Sequence, residues 1–264
     1  MKVGFVQFSP ELGKAGANIK KIESFSHSFR EADLIVLPEL CNSGYNFRDY
    51  KQARANSENI NKSKFIEYLI FLAEKHNLHI VSGFNERDGE DLFNSAVLIG
   101  PGGYIGSYRK LHLFMREKEF FKSGNSGIPV FDIGICRIGM LVCFDWIFPE
   151  VWRILSLRGA DIICHPSNLI MPGLAQKTIP VHSLLNRIYI ITANRVGSEE
   201  NLTFTGRSII TNPKGEVLCS ASESDSEVKI VEIDISLARD KKITSNNDVF
   251  SDRRPEEYGK IVES

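Results

Sequence analysis

Short apolar runs rich in β-branched residues alternate along this chain with stretches of helical period, and the cycle runs about twice. Each short run is a buried strand and each helical stretch carries the chain back across a sheet, so the pattern demands a layered α/β protein. In the first half, residues 3–8 and 34–37 are strands, the second apolar on both faces and stopped by Pro38. Asn18 is placed to cap the helix between them, whose apolar face is Ile19, Ile22, Phe25 and Phe29. Phe65, Ile66, Leu69, Ile70 and Ala73 mark a second helix. A strand at 80–84 follows, and 95–99 pairs with 104–108 as a hairpin across Gly100-Pro101-Gly102-Gly103.

The second half repeats this grammar. Strands at 130–133 and 138–142 precede a helix that opens at Pro149 and closes near Gly159. Strands at 161–164 and 189–193, a hairpin of 208–211 with 216–220, and a last strand at 228–233 complete it. The expected architecture is two pseudo-equivalent halves, each a sheet with helices on one face, stacked sheet to sheet. With no low-complexity linker in sight, residues 1–241 form one domain, and the polar segment 242–264 is a tail that wraps the body or a partner subunit.

Charge and thiols narrow the function. Lys and Arg number 32 against 33 Asp and Glu, a net charge of −1, which leaves no field to recruit nucleic acid or an anionic membrane. The N-terminal apolar run breaks too early for a secretory segment, and no stretch escapes polar interruption long enough to cross a bilayer. The five cysteines, Cys41, Cys136, Cys143, Cys164 and Cys219, are odd in number and lack a Cys-x-x-Cys pair, so they read as reduced thiols of a cytoplasmic protein.

Three chemical groups share one topological address, the C-terminal end of a strand. Residues 34–37 run into Glu39, 104–108 into Lys110, and 138–142 into Cys143; a fourth run, 161–164, leads into His165-Pro166-Ser167-Asn168. Open α/β sheets place ligands at that end. Taken singly, each residue has a plain structural explanation, the cysteine as a small core hydrophobe and the charges as solvated strand ends. Together they make chemical sense. A thiol with an ordinary pKa near ~8.5 needs a base to become a nucleophile, which a carboxylate supplies, while an ammonium and the Phe144 backbone N–H lie where an oxyanion develops.

The segments Leu37-Pro38-Glu39-Leu40, Tyr108-Arg109-Lys110-Leu111-His112-Leu113-Phe114 and Val142-Cys143-Phe144-Asp145-Trp146-Ile147-Phe148-Pro149-Glu150 resemble the three signature blocks of the nitrilase superfamily of carbon-nitrogen hydrolases. The resemblance extends to His165–Asn168 in numbers 165–168, to Thr192-Ala193-Asn194-Arg195, to Gly206-Arg207-Ser208 and to Asp252-Arg253-Arg254-Pro255-Glu256-Glu257-Tyr258, and so covers the whole chain in order. It implies a four-layer αββα sandwich, dimerised sheet to sheet, with no metal and no organic cofactor. By the same resemblance Cys143 is the nucleophile, Glu39 the general base and acid, and Lys110 the stabiliser of the tetrahedral intermediate. Glu117 is the second glutamate that orients substrate and Lys110; its spacing from Phe120 and Phe121 favours it over Glu119.

The implied reaction is acyl transfer through a thioester on a small molecule. Cys143-Phe144-Asp145 followed by Phe148-Pro149-Glu150 resembles the amidase and carbamoylase branches, whereas nitrile-hydrolysing branches carry Cys-Trp-Glu, so a small aliphatic amide or N-carbamoyl amine is expected ahead of a nitrile. Tyr45, Phe114, Phe144, Trp146, Asn168 and Leu169 follow strand ends closely enough to line the pocket. Three rivals stand beside this reading: a Cys-His hydrolase using His112 or His165 as base, a catalytically silent scaffold, and metal-assisted hydrolysis. The last is disfavoured because Cys164 and His165, adjacent on a strand, point to opposite faces.

Overall fold

The computed structural model describes residues 1–263. The first half supplies β1 (Lys2–Gln7), β2 (Leu34–Val36), β3 (His79–Asp88), β4 (Asp91–Gly100) and β5 (Gly103–Arg109). The second supplies β6 (Val130–Asp132), β7 (Arg137–Met140), β8 (Ile162–Pro166), β9 (Tyr189–Ala193), a small hairpin of β10 (Ser198–Glu199) and β11 (Leu202–Thr203), then β12 (Ile209–Thr211), β13 (Val217–Ser220) and β14 (Glu227–Glu232). They build two six-stranded sheets, ordered β14-β1-β2-β3-β4-β5 and β13-β12-β9-β8-β7-β6.

The two halves share the same strand directions. In each sheet three strands run parallel, β1-β2-β3 in one and β7-β8-β9 in the other. An antiparallel pair continues the third strand, β4-β5 or β12-β13. An antiparallel edge strand flanks the first, and here the two halves differ in chain order: β6 immediately precedes its partner β7, whereas β14 returns from the far end of the chain to pair with β1.

Strand alternation sorts the core into layers. Val3, Phe5, Leu34, Val36, Val81, Ala96 and Leu98 face the second sheet and pack with Ile138, Met140, Ile162 and Ile191. The alternate residues Val6, Ile35, Ile80, Val97 and Ile99 face outward onto Ile22, Phe65, Leu69 and Leu72. Those belong to α1 (Ala15–Phe25) and, beyond the short α2 (Tyr50–Ala55), α3 (Lys64–His76). After a single turn, α4 (Glu117–Phe120), the second sheet is covered by α5 (Pro149–Leu157) and α6 (Leu174–Asn186), whose Trp152, Leu155 and Ile179 complete the core; α7 (Ser236–Arg239) closes the body. The layers therefore run helix, sheet, sheet, helix, the four-layer αββα sandwich.

Two local expectations need correction. Asn18 does not cap a helix; α1 begins at Ala15, and the buried Asn18 side chain accepts from the Glu11 N–H at 2.6 Å and donates to the Glu11 and Asn42 carbonyls. It ties two loops together, which explains a polar residue at an apolar position. The strands expected at 80–84 and 95–99 continue as β3 and β4, ten residues each, because Asn85, Glu86 and Asn94 are buried polar residues with internal partners rather than strand ends. The tail is mostly exposed after Lys242, with Phe250 held by cation–π contacts to Arg153 and Lys241.

Candidate active site

Glu39, Lys110 and Cys143 converge at the strand ends where the two sheets meet. Leu40, directly after Glu39, is left-handed at φ 47°, and Cys143 itself is left-handed at φ 41°, a conformation that costs an L side chain and persists where surrounding structure enforces it. Room for the Glu39 turn comes from Gly83 on β3, where any Cβ would overlap the Glu39 and Leu40 backbone. Cys143 opens a 3-10 turn, Cys143–Ile147, so its amide and that of Phe144 lack partners within the turn.

The Lys110 ammonium is fully buried between two carboxylates. Nζ donates to Glu39 Oε1 at 2.8 Å and to Glu117 Oε1 at 2.8 Å. Glu117, on α4, also accepts from Tyr45 Oη at 2.7 Å. Glu119 points to solvent and pairs with Arg116, so of the two glutamates it is Glu117 that faces the lysine. Asn94, from the middle of β4, donates Nδ2 to Glu39 Oε1 at 2.7 Å.

Two buried carboxylates and one ammonium leave this cluster one negative charge in excess. Burial raises the Glu39 pKa above its usual value, against the pull of Lys110. Burial opposes the Lys110 ammonium, but Glu117 and Glu39 outweigh it and hold its pKa above the ordinary range. Burial and the Glu39 carboxylate push the Cys143 thiol well above its usual value, with Lys110 pulling the other way. The arrangement thus disfavours a free thiolate, which would add a second uncompensated charge. It permits a thiolate whose proton has moved to Glu39, because that transfer leaves the total unchanged.

A second network fixes the thiol turn against the lysine strand. The fully buried Asp145 carboxylate accepts from the Val142 N–H at 2.9 Å and from Tyr108 Oη at 2.8 Å through one oxygen. Its other oxygen accepts from the His112 N–H at 3.2 Å and pairs with His112 Nδ1 at 2.7 Å. Lys110 lies between Tyr108 and His112, so this one carboxylate clamps both sides of the lysine to the cysteine turn. His112 is thus held by a carboxylate, and its ring stacks on Phe148 at 3.6 Å. His165 Nε2 donates to the Cys143 carbonyl at 2.8 Å, and burial pushes its pKa down to about 4. Asn168 donates Nδ2 to the Glu39 carbonyl at 3.1 Å, crossing from the second sheet to the first.

Phe114, Phe144, Trp146, Asn168 and Leu169 line one cleft with Cys143, together with Ile170, Met171 and Ala175. The cleft is narrow, about 10 Å³, room for about one water. Tyr45 meets the cluster from another side: its hydroxyl donates to Glu117, with which it lines a cavity of about 350 Å³ together with Met115, Arg116 and Phe120, and its ring meets Phe204 edge-on. That region is anchored by the buried Arg195, which pairs with Glu199 at 2.6 Å while Glu199 accepts from the Tyr45 and Asn46 N–H groups. Sequence reasoning missed Asn94 and the role of Tyr108; the available signal for Asn94 was a polar residue inside a strand run. Among the described residues no group of three His, Cys, Asp or Glu side chains is placed to hold a metal ion, and no helix is long and apolar enough to cross a membrane.

Comparison with known proteins identifies the family. The carbon-nitrogen hydrolase family model matches residues 2–243. The chain is 45% identical over 260 residues to a protein of Pyrococcus abyssi named nitrilase, covering 98% of this chain and 99% of that one. It is 29% identical to the citrullinase of Francisella tularensis over 99% of this chain and 98% of that one, and 29% identical to the 2-oxoglutaramate amidase of Bacillus subtilis over 97% and 98%. In fold it matches an amidase from Nesterenkonia sp., with a TM-score of 0.81 at 24% identity over 97% of this chain and 94% of that one. It also matches a carbon-nitrogen hydrolase from Helicobacter pylori, with a TM-score of 0.83 at 24% identity over 100% and 98%. The chain belongs to the carbon-nitrogen hydrolase family of the nitrilase superfamily.

Proposed function

We propose that this carbon-nitrogen hydrolase cleaves a small aliphatic amide or N-carbamoyl amine through a thioester on Cys143. The observation that carries the reading is the buried Glu39–Lys110–Glu117 cluster beside a thiol on a left-handed turn. As the thiol attacks the carbonyl carbon, Glu39 takes its proton and returns it to the departing nitrogen. Lys110, with the Phe144 N–H, stabilises the oxyanion, and Glu117 orients Lys110 and the substrate. Water activated by Glu39 then hydrolyses the thioester. Phe114, Phe144, Trp146 and Asn168, which line the cleft with Cys143, and Tyr45, which donates to Glu117, are the substrate-binding residues in this reading.

The runner-up is hydrolysis of a small nitrile by the same residues, favoured by the name of the 45% identical Pyrococcus abyssi relative. A panel of short amides, N-carbamoyl compounds and nitriles, with ammonia release followed and intact mass measured for an acyl adduct on Cys143, tests both. Release from nitriles alone would overturn the amide reading. In the Cys-His rival His165 is the base, so Glu39→Gln would remain active and His165→Ala would not; the present reading requires Glu39→Gln to be inactive.

The protein acts as a homodimer in this reading, pairing through an outer helix layer rather than sheet to sheet. Ile147 and the α6 residues Leu174, Val181, Leu184 and Leu185 are exposed, an apolar face suited to a second copy. Five unpaired thiols suit a reducing, cytoplasmic setting. Light scattering that returned a monomer at micromolar concentration would refute the dimer.

A further inference from the structure

Two buried oxygens beside Cys143 have no hydrogen-bond partner, Glu39 Oε2 and Asn168 Oδ1. Both residues are at most 2% exposed, and Asn168 lines the cleft with Cys143. The amide orientation of Asn168 is set by its neighbour: Nδ2 donates to the Glu39 carbonyl, and turning the group would bring two oxygens together. Unpaired buried acceptors are uncommon in folded proteins. The thiol has a single hydrogen and serves one of them at most. The remaining acceptor is free to take an N–H from a bound molecule.

From this geometry we infer that Asn168 orients the leaving nitrogen of the substrate, and that the site selects a carboxamide or carbamoyl group with at least one N–H over a nitrile or an ester. The inference rests on the thioester reading above and deepens it. In the tetrahedral intermediate the nitrogen carries a lone pair and its N–H bonds. The S–C bond has formed, the thiol proton sits on Glu39 Oε2, and that proton must reach the nitrogen lone pair before the C–N bond breaks and neutral ammonia or amine departs. Asn168 Oδ1, by accepting one N–H, turns the lone pair toward Glu39. An ester oxygen or a nitrile nitrogen offers Oδ1 no hydrogen, so such a substrate leaves the acceptor unpaired.

Acyl-matched compounds test this. For Asn168→Leu, which keeps the shape and removes the acceptor, kcat/KM for propionamide should fall about 10- to 100-fold more than kcat/KM for p-nitrophenyl propionate, the span of one hydrogen bond to a reacting group. An equal fall for both overturns the inference. If Asn168→Leu does not fold, the Cys143→Ala protein carries the test: propionamide should bind about 10-fold tighter than propionitrile and methyl propionate, a difference of one hydrogen bond, and equal affinities overturn it. Failure of the reaction reading is separately visible, since wild type would then form no acyl adduct from amide or ester while the binding comparison still judges Asn168.

Discussion

Replacing Asp145 with Asn removes one charge and one acceptor at a position whose four donors can be counted. The carboxylate holds Val142 N–H, Tyr108 Oη, His112 N–H and His112 Nδ1, two on each oxygen. An asparagine keeps one oxygen and turns an amino group on the other pair, of which one member in either orientation is a backbone N–H that cannot become an acceptor. The other member can adapt, Tyr108 by rotating its hydroxyl or His112 by changing tautomer. Two charge-assisted bonds are thus lost and one neutral bond regained. At about 1.5–3 kcal/mol for each bond to a charged group and about 1 kcal/mol for the neutral one, the net loss is about 2–5 kcal/mol.

For a chain of this size each kcal/mol shifts the midpoint by about 2–4 °C, so thermal unfolding of D145N should begin about 10 °C lower. Activity should suffer separately, because Asp145 sets the distance between the lysine strand and the thiol turn. A displacement of about 1 Å costs about 100-fold in kcat, with KM less affected. Differential scanning fluorimetry and steady-state kinetics at a temperature where D145N remains folded measure both. A midpoint within 3 °C of wild type together with kcat within threefold, both set against those estimates, would refute the clamp.

The remaining expectations concern the charged cluster and its surroundings. Lys110→Met strands two buried carboxylates and should destabilise by about 3–5 kcal/mol, whereas adding Glu39→Gln and Glu117→Gln should recover most of that in urea titrations without restoring turnover. Cys143→Ala should leave the circular dichroism spectrum unchanged and abolish ammonia release; residual release at wild-type rate would remove Cys143 from the mechanism. Because Glu39 has a raised pKa and is the proposed base in its carboxylate form, kcat/KM should fall on the acid side through an apparent pKa above the ordinary ~4.3; an acid limb at or below that value contradicts the assignment. His165 is held neutral with a pKa of about 4, below its unfolded value near ~6.5, so the unfolded chain binds the extra proton between these limits. Its contribution, about 3 kcal/mol, is complete above pH ~6.5 and fades as pH falls toward 4; urea midpoints for wild type and His165→Gln should therefore converge on acidification.

How far the sequence reveals this site follows from the physics of each residue. Glu39, Lys110 and Cys143 were visible because each interrupts an apolar strand at its carboxyl end, where local order and burial coincide. Glu117 was separable from Glu119 only by its distance to Phe120 and Phe121; the structure puts Glu117 on Lys110 because α4 is a single turn whose inner face carries Glu117 and Phe120. Asn94 escaped because its neighbours suggested a strand end, whereas its amide is paired inside the sheet. The seat of β14 beside β1 escaped for another reason: pairings between residues more than two hundred positions apart leave no periodic trace in either strand. Local pattern specifies elements, while nonlocal pairing and buried polar partners emerge only from packing.

The two halves do more than duplicate a fold. Glu39 and Lys110 come from the first sheet and Cys143 from the second, so no single half contains the proposed chemistry. What holds their relative positions is an apolar interface, which is tightly packed but non-directional, and a few directional links that cross it. Asp145 reaches from the thiol turn to Tyr108 and His112, and Asn168 reaches from the end of β8 to the Glu39 carbonyl. Both links end on Glu39 itself or within two residues of Lys110. The apolar core therefore supplies adhesion between the sheets, and these polar bridges supply register. A substitution that merely loosens the core, such as Met140→Ala, should lower stability by about 2–5 kcal/mol yet leave kcat largely intact in the folded fraction, whereas loss of a bridge should lower kcat even where the protein remains fully folded.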